Sequence, residues 1–365
     1  MTDINYWVWF SSLVKINTRK RFELLEYYRE PAYLWHASEE ELKRLAMIES
    51  SDVGHIIDRQ FRSETQKHYD NLVAADVDII TMRDSLYPEE LKYIYDPPVV
   101  LYAKGSLARD EARVAVVGSR RATTYGLETA EKLSEGLAGN GVTIVSGMAR
   151  GIDSKAHNGA LAVNGRTIAV LGCGLDIVYP SENKELMKRI CKSGAVMSEY
   201  LPGTPPAAFN FPARNRIISG ISKGVVVVEA NDKSGSLITA NYALEQGKEV
   251  FAIPGNINCG NSTGTNKLIR DGAKIVLELG DILDELKISR SANNSISKKS
   301  IKINTSALEA DERSILKELR KGPVHIDTLA RICNLGINTT GSILVMLEMK
   351  GFVEQLPGKS YKLAR

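Results

Sequence analysis

The spacing of apolar positions changes several times along the 365 residues, and each change marks a different kind of element. Up to about residue 75, segments such as EELKRLAMI and VGHIIDRQF repeat apolar side chains every three or four positions between charges, the period of an amphipathic helix. No run there reads as a strand, so a small helical domain is expected over 1–75. It would be a SAM-like bundle or a helix-hairpin-helix, with Gly54 in IESSDVGHI as the only signal for a hairpin. Near Val77 the pattern shifts: VDIITMRD and PPVVLYAKGS read as strands, joined by YPEELKYIYD, a short helix that ends at Pro97.

From Ala112 the alternation is regular. VAVVG, VTIVSG, TIAVLG, AVMSEY, GVVVVEA, EVFAIPG and AKIVLEL are short β-rich runs. Between them lie helical segments near 125–140, from Ile152, from Glu182, from FPARNR, over 236–246 and near Asn266. Four successive valines, Val225 to Val228, fit a strand buried on both faces. Such alternation predicts an α/β core over 76–286 with an extended Rossmann-like, doubly wound, mostly parallel sheet. Over 287–305 the chain has no acid and carries Lys287, Arg290, Lys298, Lys299 and Lys302 among Ser, Asn and Ile, which reads as a solvated basic linker. Residues 306–365 then give three helical segments and a hairpin, the order of a winged helix.

Composition narrows the function less than the pattern does. With 47 basic against 44 acidic residues the net charge is +3, so a nucleic-acid partner must be met by a local patch. Cys173, Cys191, Cys259 and Cys333 are widely separated, and the five histidines form no ligand-spaced group with them, so neither a metal nor a cofactor is expected. The apolar start, MTDINYWVWFSSLVKI, is too short for a membrane span and lacks the flanks of a signal peptide; a cytoplasmic protein without membrane contact is expected.

Ligands of open parallel sheets bind at the carboxyl ends of the strands, and those ends carry the candidate chemistry. The first ends in GSRRATTYG, where Gly118 permits close backbone approach, Ser119 and free amides can take an anion, and Arg120 and Arg121 add fixed charge. Neither a dinucleotide fingerprint nor a P-loop is present, and arginines paired with surface carboxylates would explain this motif alone. The second end, SGMARGIDSKAH, offers Ser146, Gly147, Arg150 and Gly151; Asp153 there fits an ordinary first-turn helix acid, and His157 a packed helix residue. At the third, Cys173 is a small buried residue beside a glycine turn. At the fifth, Ser234, Gly235 and Ser236 precede a helix, either as an anion site or as a plain cap.

Ahead of the valine strand stands FNFPARNRIISG. A phosphate site alone needs no aromatic, whereas single-stranded nucleic acid is held by a basic track plus faces on which bases stack. Phe211 could be such a face or a core residue. Arg214 and Arg216 are not both expected in the core.

Together with these residues, YPEELKYIYDPPVVLYAKG, VAVVGSRRATTYG, IVSGMARGIDSKAH, VLGCGLDIVYPSEN, FPARNRIISG, SGSLITANYAL and AIPGNI occur in order, and the chain resembles the DNA-processing protein A family, DprA or Smf. The resemblance implies a Rossmann-like protein without known catalysis that binds single-stranded DNA, dimerises and loads RecA onto incoming strands during natural transformation. It places DNA contacts on Arg120 with Arg121, on Phe211, Arg214, Asn215 and Arg216, and on a pocket wall from Ser234 to Thr239. Some relatives carry a lysine three residues before this phenylalanine. Here Ala208 stands in that place, and Lys184 is a candidate substitute. The family's dimer contact falls on TGTNKLIRDGAKI, with Leu268 and Ile269 as its apolar members, unless that segment merely covers the last strand.

The competing class is a nucleotide-processing hydrolase of the related phosphoribohydrolase type. In SGSLITANYAL, Thr239 and Ala240 stand where a catalytic glutamate is wanted, with Glu245 more than a turn further on. A winged-helix transcription factor is a third option, but INTTGSILVMLEM, the would-be recognition helix, has no Arg or Lys before Lys350 and only Asn338 for base edges. An interaction module or weak duplex contact through Lys359 and Lys362 fits it better.

Overall fold

The structure is a computed structural model that describes residues 3–289, 309–320, 322–350, 352–356 and 358–363. Of the linker expected over 287–305, all but 287–289 lies outside the described residues. Contacts divide the chain into two compact units, 1–294 and 295–365.

The first unit is built on one sheet of nine strands: β1 (Asp78–Thr81), β2 (Val100–Gly105), β3 (Arg113–Val117), β4 (Thr143–Ser146), β5 (Thr167–Val170), β6 (Ala195–Ser198), β7 (Gly224–Val227), β8 (Glu249–Ala252) and β9 (Lys274–Ile275). Their order is β1-β2-β6-β5-β4-β3-β7-β8-β9. The β1/β2 and β2/β6 pairs are antiparallel and the others parallel, so the sheet is the mostly parallel, doubly wound one its alternation predicts. Burial on both faces explains the uninterrupted apolar runs. In β3, Val114 and Val116 join one core cluster while Ala115 and Val117 join the cluster on the other face.

Helices α1 (Asp3–Ser12), α2 (Thr18–Tyr28), α3 (Pro31–His36), α4 (Glu39–Lys43), α5 (Ser50–Ile57) and α6 (Arg59–Ala74) precede the sheet. Their apolar faces share one cluster with it: Trp7, Phe10 and Leu13 belong with Tyr102, Leu171 and Val196. The Ser11 and Tyr102 hydroxyls lie 2.9 Å apart, so the core of these helices is continuous with that of the sheet. Gly54, the one signal for the helix-hairpin-helix alternative, lies inside α5: Asp52 accepts from the Glu49 amide at 2.9 Å and from Lys20 Nζ at 2.8 Å, which starts the helix ahead of Gly54.

The connections place α7 (Thr124–Gly139), α8 (Ile152–Ala162), α9 (Lys184–Ser193), α10 (Asn210–Gly220), α11 (Gly235–Glu245), α12 (Thr263–Arg270) and α13 (Leu279–Glu285) along the sheet. YPEELKYIYD contributes a 3₁₀ turn, Glu89–Tyr93. AKIVLEL forms only the two residues of β9, because Asp281 accepts from the amides of Leu277 (2.7 Å) and Glu278 (2.9 Å) and starts α13 there.

The second unit contains α14 (Ala310–Leu319), β10 (Val324–His325), α15 (Ile326–Ile332), α16 (Ile337–Met349), β11 (Val353–Leu356) and β12 (Ser360–Leu363). Its sheet runs β10-β12-β11 over a core that includes Ile315, Leu329, Leu344 and Tyr361, a winged helix. Lys362 of the wing pairs with Glu354 at 3.2 Å. Among the described residues no helix is long and apolar enough to cross a membrane, and no His, Cys, Asp and Glu group could hold a metal ion.

Candidate nucleic-acid interface

The chain lays down β3, β4, β5 and β6 in one direction and then returns to set β7 on the other side of β3. Strand order therefore reverses at β3, and the carboxyl ends of β3 and β7 flank the crevice in which such sheets bind ligands. A cleft of about 720 Å³ opens there. Gly118, Ser119, Arg120 and Arg121 line it from the loop after β3, Ala149 from the loop after β4 and Asp153 from the first turn of the helix that follows, α8. Ala208, Phe211, Arg214 and Asn215 contribute from α10 and its approach, and Asn231, Lys233, Ser234, Gly235, Ser236 and Thr239 from the loop after β7 and from α11.

The loop after β3 is held by its neighbours. A Cβ on Gly118 would lie 2.7 Å from Ile152 Cγ1 and 2.9 Å from the Glu229 carbonyl oxygen, so only glycine fits. The Ser119 amide donates to that same oxygen at 2.7 Å. The buried Glu229 carboxylate accepts from the Thr123 amide at 2.8 Å and from the Thr123 hydroxyl. Gly151 has φ +75°, and a Cβ there would overlap the Ser119 carbonyl oxygen. Pinned in this way, the loop leaves Arg120 and Arg121 exposed at its tip. Across the cleft Ser234 caps α11, its hydroxyl accepting from the Ser236 amide at 3.4 Å, and the remaining first-turn amides form a positive helix end.

Phe211 is half-buried over Gly172, where a Cβ would come within 2.9 Å of the ring. The Arg120 guanidinium lies 5.3 Å from the Phe211 ring centre, and the Tyr179 ring lies 5.4 Å away, tilted by 31°. Arg214 is only 4% exposed. Its Nη1 donates to the Gly147 carbonyl at 3.1 Å and to that of Val170, and its Nε to Asn215 Oδ1 at 3.1 Å. Asn215 in turn donates to the Gly235 carbonyl at 3.3 Å, tying α10 to the start of α11.

Arg216, 7% exposed, donates to both Glu199 carboxylate oxygens at 2.6 and 2.7 Å, to the Asp96 carbonyl at 2.8 Å and to that of Ala213 at 3.0 Å. Both arginines are thus core residues, against the expectation that they could not both be. Each guanidinium is buried because backbone carbonyls or a carboxylate take up its donors.

Burial brings Arg214 down to about 10, with Asp153 pulling the other way, so it stays charged at neutral pH. Burial likewise pushes the Asp153 carboxyl up, against the pull of Arg214 and the amides of Ala149 and Gly147. Arg216 keeps its charge above the ordinary range: burial opposes it, but Glu199 outweighs the burial.

The other expected residues are placed differently. Ser146 is buried and donates to the Val116 carbonyl at 2.7 Å, away from the cleft. A Cβ on Gly147 would meet the Arg214 guanidinium at 2.5 Å. Arg150 pairs with Glu182, Nη2 to Oε2 at 3.1 Å, beside the cleft. Lys184 starts α9 and does not line the cleft; the lysine that lines it, as Ala208 does, is Lys233. Leu268 packs into the internal cluster beneath α12, and Ile269 is half-buried on the same helix.

His157 is fully buried, with Nδ1 2.7 Å from the Thr167 hydroxyl, and burial pulls it down to about 3. Cys173 is buried, with its thiol pushed up to about 11 by that burial. Sequence reasoning missed Tyr179, Asn231, Lys233 and Asn261, which also line the cleft. Tyr179 and Lys233 both lie in loops that follow strand ends, so the rule that singled out GSRR and SGS reaches them too.

A family model described as DNA recombination-mediator protein A matches residues 78–287. The chain belongs to that family. A second model, described as the DprA winged helix domain, matches residues 304–359 of this DprA-family chain. The DNA processing protein DprA of Streptococcus pneumoniae is 50% identical over 205 residues, 56% of this chain and 72% of that protein. An X-ray structure of DNA processing protein A from Streptococcus pneumoniae covers 78% of the chain and 98% of its own, with TM-score 0.62 and 39% identity. A DNA processing protein A structure from Helicobacter pylori, described for its single-stranded DNA binding mode, covers 59% and 98%, with TM-score 0.52 and 32% identity.

Proposed function

We propose that this DprA-family chain binds single-stranded DNA in the cleft at the β3/β7 reversal and, as a homodimer in the cytoplasm, helps load RecA recombinase onto it, protecting incoming DNA in transformation and recombination. The observation that carries the binding is the charge and shape of the cleft. Exposed Arg120, Arg121 and Lys233 stand on two walls with buried Arg214 and the α11 amide end, beside Phe211 and Tyr179. Cations that can exchange their counterions for phosphates, set next to aromatic faces, suit a sequence-tolerant single strand. The Helicobacter pylori relative supports this partner; RecA loading and the homodimer rest on membership of the family.

A nucleotide hydrolase on the same sheet has less support. The one carboxylate lining the cleft, Asp153, accepts from the amides of Gly147 (3.1 Å) and Ala149 (3.4 Å), and Glu245 is not among the lining residues. Binding of dT oligomers across a salt series, with Arg120→Ala and Phe211→Ala, tests the reading. Both variants are expected to bind more weakly whatever the sequence, and duplex to bind worse than single strands. Wild-type binding by both variants would refute the site, and release of base from a nucleoside monophosphate would refute the class. Stimulation of cognate RecA filament formation on coated single strands tests the loading step.

A further inference from the structure

We propose a second nucleotide subsite beside the main cleft, in which a neighbouring base lies on Tyr179 and its phosphate displaces Glu182 from Arg150. It rests on the single-strand reading of the cleft and extends it by one nucleotide. Between the loops after β4 and β5 there is a recess of about 30 Å³, lined by Arg120, Arg150, Arg214, Tyr179 and Phe211 among others, with no carboxylate in its lining. That volume suits one water or one anion oxygen.

The three arginines are not equally available. Arg214 has its donors on the carbonyls of Gly147 and Val170 and on Asn215, and Arg120 lies over the Phe211 ring. Arg150 is held by Glu182 in a pair whose side chains are 63% and 49% exposed. An exposed pair of this kind is weak, and a backbone phosphate offers the guanidinium the same bidentate geometry.

The aromatic geometry points the same way. With Arg120 at 5.3 Å and Tyr179 at 5.4 Å, the Phe211 ring already has two neighbours that narrow the approach of a base. Tyr179 is 39% exposed and lines both the recess and the main cleft, so it offers a base a surface that is already open. A base there would continue the Arg120, Phe211 and Tyr179 stack, and its phosphate would fall toward Arg150.

The test is fluorescence anisotropy with dT oligomers of increasing length in a salt series, together with 2-aminopurine emission, on the full chain. Tyr179→Leu should weaken long oligomers by about tenfold and the shortest bound ones little, while Tyr179→Phe keeps wild-type affinity. Glu182→Gln should tighten binding severalfold, and that gain should vanish in the Arg150→Gln background, where the salt slope falls by about 0.7. If Arg120→Ala weakens binding but Tyr179→Leu and Glu182→Gln match wild type at every length, the subsite is refuted and the main cleft stands. If Arg120→Ala also matches wild type, the single-strand reading itself fails.

Discussion

Arg216→Met separates the two roles open to this arginine, a DNA contact or a structural clamp. The wild-type guanidinium makes two bonds to Glu199 and one each to the carbonyls of Asp96 and Ala213. Methionine fills the volume of the stem but leaves the Glu199 carboxylate, 18% exposed, without its partner. Breaking a buried pair from one side costs about 3–5 kcal/mol, because the orphaned charge stays desolvated. Removing both charges, in Arg216→Met with Glu199→Leu, should recover part of that loss, because Asp96 Oδ2, 3.4 Å from the wild-type Arg216 Nε, still loses its partner. All three tryptophans, Trp7, Trp9 and Trp35, sit in or against the cluster that the first helices share with the sheet. Their fluorescence in a urea titration therefore follows the unit that contains Arg216 and not the winged helix. A single variant as stable as wild type whose oligo-dT salt slope drops would refute the clamp and make Arg216 a phosphate contact.

Arg120→Ala should do the reverse: an exposed side chain leaves stability within about 0.5 kcal/mol of wild type, while the slope of log K against log salt for oligo-dT falls by about 0.7. Gly151→Ala should cost about 1–3 kcal/mol in chemical denaturation, because φ is +75° and the new methyl overlaps Ser119, and oligo-dT titration should show weakened binding as the Arg120 loop is displaced. Burial holds His157 near 3 against an ordinary 6.5, so the stability it contributes is complete above 6.5 and is lost as pH falls toward 3. The loss approaches about 1.4 kcal/mol per pH unit inside that window, and unfolding titrations at pH 7 and 5.5 should show it in wild type but not in His157→Gln.

The sheet was legible because both faces of its central strands are buried, which turns each strand into a short apolar run between helical segments. The edge that carries the candidate cleft could be located for a related reason: strand ends lead into loops and helix starts, and GSRR and SGS lie in such segments. The destinations of Arg214 and Arg216 were not legible. Arg214 ends on carbonyls 67 and 44 residues away, and Arg216 on one 120 residues away, so no local pattern records them. The packing of the first helices was hidden for the same cause, since an amphipathic period shows that a face is buried but not against what. AKIVLEL illustrates the ambiguity of a short apolar run: a side chain two residues beyond it, Asp281, ends the strand and opens a helix.

The charges around the cleft fall into two sets with different consequences. Arg214, Arg216, Asp153 and Glu229 are buried, and each is bonded to backbone or to another charge, so they fix the loops after β3 and β4 and the helix α10. Arg120, Arg121 and Lys233 are exposed and lie on opposite walls. Only the exposed set can exchange counterions for phosphates, so the salt dependence of binding should count those three together with Arg150, and not the arginines of FPARNR. The same division bears on chemistry. General acid or base catalysis needs a carboxylate free to exchange a proton with substrate, and the two buried carboxylates at these loops already accept from amides that hold the fold. Acids that serve as scaffold and cations that face solvent are what the proposed polyanion reading requires, and on that reading the aromatic surface between the walls would favour single strands.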